Sequence, residues 1–294
     1  MNLRYLKYNE IDFELWDKTI ESSKGGFPYA YSWFLNVVSP NWEAVVSEDY
    51  EFIMPLPVKR KYLFRYLIQP AYNQQLGVFS NKFVSNDILI EFVKKIPYFS
   101  YQISFNENNK FTDCDQLPNY VLNLQLPYKF LSVGYSKNTA RNLQKARSNN
   151  LVIECLVKLT DTVKDFMLQN ANYQYRSHLS EIFELIKIAC DYFTMEIWCA
   201  RDSTGALISS ACFYRTPGRL VYVFPVNSKK SKITSANFLL IDSVISKFSG
   251  NEMLLDFEGS EIEGIARFYK GFGAVNRPYY VLKKFRPAFL VGKI

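Results

Sequence analysis

Two hydrophobic periods alternate along this chain, and their boundaries set out the elements. Helical spacing predicts helices over residues 10–22 and 29–38. Residues 42–47 and 51–58 then alternate or run apolar as strands, with Glu48-Asp49 as the turn between them. Lys59-Arg60-Lys61 reads as a basic turn, and residues 62–69 as a third strand stopped by Pro70. A helix follows over 86–95, with Ile88, Phe92 and Val93 on one side, and then a strand over 100–106. In the second half, residues 193–200, 206–215 and 220–226 read as strands separated by turns at 202–205 and 216–218. Phe238, Ile241, Ile245 and Phe248 recur at helical spacing, so residues 236–249 form a helix that Gly250 stops. A strand over 252–257, a helix over 261–271 and a closing strand over 279–284 complete the pattern. Between the halves, residues 161–170 read as a short helix, and Ser180 can cap another that runs to about Asp191, leaving 173–178 as a loop.

Both halves share the order strand, strand, strand, helix, strand. Trp42 falls against Met195 and Phe105 against Phe257 at nearly the same offset, with negligible identity between the halves. The expected fold is therefore α/β (α+β), with two tandem domains, each a mixed central sheet flanked by helices. The 294 residues suit two such domains, over residues 1–130 and 131–294, joined within 126–150.

The net charge of +7 favours anionic partners but is spread along the chain, so it does not single out nucleic acid. Aromatics at 17% leave two readings open, a biased composition or aromatic-lined clefts. The five cysteines include no CxxC pair and are odd in number, which predicts reduced thiols in a cytoplasmic protein. The first residues lack a long apolar signal core, and no apolar run approaches the roughly 20 residues of a membrane span. Several chemistries drop out. One histidine, His178, with scattered cysteines builds no typical zinc site, so no metal is expected. There is no GxSxG elbow, no GxxxxGK loop, no GxGxxG after a strand and no DNA- or RNA-binding motif.

Acyl transfer to an amine survives these exclusions. It needs a group to take the amine proton, donors for the developing oxyanion and a weak acid for the leaving group. Asp256 and Glu258 stand two apart at the C-terminal end of a strand, where α/β sheets place ligands. They read as an acid–base pair or as solvated carboxylates. The first half carries Ser104 and Asn106 at the matching positions, so any such chemistry belongs to the second half. In the last helix Ile265, Phe268 and Phe272 form an apolar stripe expected in the core. Tyr269 lies at its edge, as a buried structural tyrosine or a phenol aimed into the cleft. Lys137, Arg141 and Lys145 form a basic helical stripe, either a solvated face or a contact for an anionic substrate.

The strand and helix order, with FYKGFGA near the end, resembles the GNAT (GCN5-related N-acyltransferase) superfamily. The tandem arrangement looks like its FemAB-like branch. The likeness is carried by YSWFLNVVSPNWEAVV, SKNTARNLQKARSNNLVIE and DFEGS…RFYKGFGA. It implies two GNAT-like domains and acyl-CoA as donor, with Tyr269, four residues before Gly273, protonating the departing thiolate. Those families usually cradle the CoA pyrophosphate in a glycine-rich loop. Here the stretch is NSKKSKITSAN, without glycine. Its implied donors are Lys230 and Lys232, capping by Thr234 or Ser235, and the N–H groups of the helix that begins at Ala236. FemAB-like proteins often carry a lysine where this chain has Tyr269. Lys270 follows one position later, turned by about 100° on a helix. Tyr173, Tyr175, Arg176 and His178 would border the acceptor cleft. The resemblance thus implies N-acyl transfer from acyl-CoA to an amine. Two alternatives are an aminoacyl-tRNA-dependent ligase acting on a cell-wall precursor, with tRNA meeting the basic stripe, and a catalytically degenerate GNAT-fold binding protein.

Overall fold

The computed structural model describes residues 1–112, 114–192 and 194–285, without the side chains of Tyr173 and Gln174. The chain begins with β1 (Leu3–Leu6), α1 (Phe13–Ser22), α2 (Ser32–Val38), β2 (Glu43–Ser47), β3 (Ile53–Leu56), β4 (Val58–Lys61) and β5 (Phe64–Ile68). It continues through α3 (Asn86–Lys94), β6 (Tyr101–Phe105), β7 (Asp115–Leu117), β8 (Tyr120–Asn123), α4 (Tyr128–Val133), α5 (Lys137–Arg147), β9 (Val152–Leu156), α6 (Asp161–Asn170), α7 (Tyr173–Arg176) and α8 (Leu179–Asp191). It ends with β10 (Met195–Arg201), β11 (Leu207–Thr216), β12 (Arg219–Asn227), α9 (Lys229–Thr234), α10 (Ala236–Phe248), β13 (Leu254–Asp256), α11 (Glu263–Gly271), β14 (Val275–Asn276) and β15 (Tyr279–Lys284). Two compact units result. One comprises Met1–Pro118 with the described residues from Arg277 onward, and the other Asn119–Asn276.

The first unit contains an antiparallel sheet, β1-β2-β3, and a mixed sheet in the order β4-β5-β6-β15-β7. β5 and β6 are parallel, joined by a connection that contains α3. α3 is capped by Ser85 and buries Leu89 and Phe92 in the core shared with Ile103 and Phe105. Glu43 is 3% exposed and is held by Tyr5 at 2.6 Å, by Tyr98 and by Arg65, so a buried charge is paired and hydrogen-bonded.

The second unit holds one mixed sheet in the order β14-β8-β13-β12-β11-β10-β9. Only β12 and β13 run parallel, and α9 and α10 make the crossover between them. α10 buries Leu240, Ile241, Val244, Ile245 and Phe248 against the sheet. Leu255, Phe257, Phe272 and Tyr222 complete that core.

Most expected elements form within a few residues of their expected bounds, and five differ instructively. Lys59-Arg60-Lys61 is strand β4, not a turn, because an edge strand needs no buried face; the turn falls on Tyr62-Leu63. The expected loop over 173–178 contains the one-turn helix α7, capped by Asn172. α8 starts at Leu179 with His178 in the N-cap position, so Ser180 does not cap it. NSKKSKITSAN is helical over α9, capped by Ser228, rather than a loop. On α11 the inward face is Ala266, Tyr269 and Phe272, while Ile265 is 39% exposed, so the apolar stripe lies one position round from where periodicity alone puts it. Phe193, placed at the start of a predicted strand, lies outside the described residues.

Candidate active site

The ladder between β12 and β13 joins Arg219–Val221 only to Leu254–Asp256. β13 then ends, whereas β12 runs on to Asn227, so the two parallel strands part at their C-terminal ends. Two further features distort β12 there. Its register against β11 shifts between Ser210 and Cys212, where two residues, Phe224 and Pro225, stand opposite Ala211. Phe224 has φ 50°, a left-handed conformation that costs energy in a bulky side chain.

Asp256 closes β13 and is wholly buried. One carboxylate oxygen pairs with Arg219, also wholly buried, and the other accepts the Glu258 N–H at 2.8 Å. The strand does not continue through Glu258. That residue has φ 58°, so the simple alternation that would aim both carboxylates at one face is broken. Its carbonyl accepts the Tyr120 N–H at 3.1 Å, and its side chain is half-buried. Asp256 thus holds the turn that presents Glu258.

Tyr269 comes to the same place from α11. Its ring stacks on Phe257, with centroids 4.9 Å apart and planes at 23°. Tyr222 and Tyr120 each lie 6.2 Å from it, centroid to centroid. The side chain is 8% exposed. Burial pushes its phenol well above the ordinary tyrosine range, and the nearby Glu258, Tyr175 and Asp256 push the same way. Tyr269 therefore stays protonated at neutral pH. Gly273 ends α11 at φ 88° and donates to the Lys270 carbonyl at 2.9 Å, so the Tyr–Gly spacing also serves as a helix stop.

The other expected residues divide. Tyr175 joins the cluster, its ring 6.2 Å from that of Phe224. Lys270 is exposed and places Nζ 5.3 Å over the Tyr120 ring, one ring away from Tyr269. Arg176 is exposed and donates through Nε to the Ala171 carbonyl, and His178 lies 3.3 Å from the Glu181 carboxylate. Arg141 is exposed on α5 and bonds Asn138, as expected for the outward face of a helix that buries Thr139, Leu143 and Ala146. The Tyr173 side chain lies outside the described residues.

At the α9–α10 junction, Lys230 is bound to Asp202 at 2.5 Å, and this pairing, with the bond from Thr204, holds the Asp202 carboxyl well below the usual range. Thr234 Oγ1 donates back to the Lys230 carbonyl rather than capping α10. Ser235 occupies the N-cap position with φ 60°, but its hydroxyl donates to Asn142 and not to the helix. Lys232 is exposed, and Ala236 is buried at the first position of α10.

Sequence reasoning missed Arg219, Tyr120 and Tyr222. A strand arginine beside a turn gives no local signal that it will pair with a carboxylate 37 residues later. Among the described residues, no cluster of His, Cys, Asp and Glu could hold a metal ion, and no helix is long and apolar enough to cross a membrane. The first unit contains a separate cavity of about 410 Å3, lined by Lys24, Lys82, Lys110, Phe83 and Asn86 among others, and none of the expected site residues lines it.

No family model and no curated protein matches this chain. Solved structures do. FemX superposes over 100% of both chains with a TM-score of 0.70 at 10% identity. L-PGS from Bacillus licheniformis gives 0.58 at 10% identity, over 95% of this chain and 93% of its own. A conserved protein of unknown function from Bacteroides thetaiotaomicron gives 0.57 at 8% identity, over 93% and 97%. The class is therefore a mixed α/β fold. Over its whole length the chain shares the fold of FemX. At these identities the likeness is one of fold.

Proposed function

We propose that this chain is an acyltransferase that moves an acyl group from an activated donor to an amine, with acyl-CoA as the donor. The observation that carries this reading is Tyr269, buried and kept protonated, gathered with Glu258 and Asp256 where β12 and β13 part. The opening between the strands suits the extended arm of a thioester donor, which can pair with the backbone that β12 leaves without a β13 partner. The N–H groups at the start of α10, with Lys232 nearby in sequence, offer a seat for the donor's phosphates.

In this mechanism Glu258 takes the proton from the attacking amine, directly or through one water. Backbone N–H groups of β12 stabilise the oxyanion, and Tyr269 gives its proton to the leaving thiolate as the tetrahedral intermediate collapses. Asp256 acts as a positioning group, because both its oxygens are engaged. The acceptor is an amine that reaches the site past Tyr175, Arg176, His178 and Lys270. A cell-wall precursor bearing a free amine has the required chemistry.

One observation favours a second donor. Lys230 is occupied by Asp202, and the α9–α10 junction has neither a glycine nor a side-chain cap, so little is left to wrap a pyrophosphate. Lys137, Arg141 and Lys145 are all exposed on α5. An aminoacyl-tRNA, read through its backbone phosphates, would use that face. Calorimetry with acyl-CoA compounds tests the first donor: binding supports it, and absence of heat with any chain length overturns it. Transfer from charged tRNA that weakens steeply with salt, and weakens again when the three basic residues become glutamine, would establish the second. If Asp256→Asn with Tyr269→Phe leaves the cellular phenotype unaltered, the chain is a binding protein on this fold.

A further inference from the structure

β4 and β5 form a hairpin at the edge of the mixed sheet of the first unit, with Lys61 opposite Phe64 and Arg60 opposite Arg65. Its tip is apolar and open to solvent. Tyr62 and Leu63 are each 85% exposed, and Phe64 is 59% exposed. Isolated exposed apolar residues are ordinary, but three in a row at the end of a projecting hairpin are a contiguous patch that water disfavours. Tyr62 also sits at φ 55°, a costly conformation for an aromatic residue, and the Arg60 Nε donates to its carbonyl.

Directly behind the tip lies a cationic collar. Residues 59–65 contain Lys59, Arg60, Lys61 and Arg65 and no carboxylate. Arg65 is engaged with Glu43. Lys59, Arg60 and Lys61 are exposed and have no ion-pair partner among the described residues. Lysines on an edge strand discourage sheet-to-sheet aggregation. That role accounts for Lys59 and Lys61, but an exposed Leu63 beside Phe64 works against it.

From this arrangement we infer that the β4–β5 hairpin is an interfacial anchor that docks the protein on an anionic lipid bilayer. The order along the projection matches the order of chemistry across a membrane surface. Leu63 and Phe64 enter the boundary with the acyl chains, Tyr62 sits at headgroup level, and the collar meets the lipid phosphates. A second copy of the hairpin is a poor occupant, because its collar carries the same charge. A polyanion without an apolar layer would leave the tip in water.

The test is co-sedimentation of the full chain with vesicles of phosphatidylcholine alone or mixed with phosphatidylglycerol in about equal parts. Binding to the anionic vesicles, and none to the neutral ones, is expected, and it weakens as salt rises. Each basic residue near such a surface contributes about fivefold, so Lys59→Gln, Arg60→Gln and Lys61→Gln together weaken partitioning on the order of 100-fold. Leu63→Ser with Phe64→Ser weakens it by about tenfold or more. All these positions are exposed, so circular dichroism and Tm stay unchanged. A Leu63→Trp variant shows a blue-shifted emission when the anionic vesicles are added. The proposal is overturned if the parent chain ignores anionic vesicles, or if the hairpin variants bind as well as the parent. It is equally overturned if Leu63→Trp emission stays fixed while the chain binds, or if the same substitutions abolish a concentration-dependent self-association instead.

Discussion

At Tyr269, burial and neighbouring carboxylates act in the same direction, and together they keep the phenol protonated. Its hydroxyl keeps its proton throughout the neutral range, so its ionisation should leave no falling limb in a pH–rate profile below about pH 10. Tyr269→Phe keeps the stacking on Phe257 and removes only the hydroxyl; kcat is expected to fall by about a hundredfold to ten-thousandfold with little change in Tm. Glu258→Gln should lower kcat similarly. Cysteine reactivity gives a second check at this scale. Burial pushes the Cys155 thiol up to about 11, and the Glu196 charge adds to that. Alkylation at Cys155, followed by mass spectrometry, should therefore be slow near neutrality and rise until the pH approaches about 11. Glu196→Gln should accelerate it at neutral pH.

At the scale of elements, two contacts tie the site to the fold. The first is the Arg219–Asp256 pair, which lies between β12 and β13 without any solvent exposure. Arg219→Met leaves a buried charge without its partner and should cost about 3–5 kcal/mol in chemical denaturation. Arg219→Met combined with Asp256→Leu should recover most of that stability. Activity should stay low, because the turn that presents Glu258 is released. The second is the approach of α11 to α5. A Cβ at Gly271 would come within 2.5 Å of Thr139 Oγ1. Gly271→Ala should therefore destabilise by about 1–3 kcal/mol, and adding Thr139→Ala should return part of it. Much at this scale was legible in the sequence, because amphipathic helices such as α10 and alternating strands carry their own period. The errors fall where a local rule met a tertiary demand. On α11, Ile265 scored as core by spacing, but the face that fits against Phe257 and Tyr222 runs through Ala266 and Tyr269.

At the scale of the molecule, the chain crosses between its units. β15 is read easily as a strand, yet it pairs with β6 and β7 of the first unit rather than with its sequence neighbours. Val281 on it is 3% exposed in that unit. Ending the chain after Asn276 should strip amide protection from β6, measured by hydrogen exchange, while β10–β12 keep theirs. Base should also unfold the second unit before it titrates that unit's buried tyrosines. Tyr214, Tyr222 and Tyr269 all have their pKa raised by burial above the unfolded value near 10. Their contribution is complete below that value and is lost as the pH rises through and beyond it, since only the unfolded chain then releases the protons. The tyrosinate absorbance of these three residues should therefore appear only together with loss of structure, above about pH 10.

By itself the sequence determined the periodic elements, the doubled strand–helix order and the residue types around Asp256, Glu258 and Tyr269. These depend on neighbours one to four positions away, and such neighbours are written consecutively in the chain. Tertiary structure alone decided that Asp256 is spent on Arg219, that Lys230 is spent on Asp202, that Tyr269 is enclosed by Tyr120, Tyr222 and Phe257, and that β15 closes the sheet of the first unit. Each of these brings together groups that adjacent residues do not specify: a fully buried ion pair for Asp256, a half-exposed one for Lys230, ring packing in the core for Tyr269 and an open strand edge for β15.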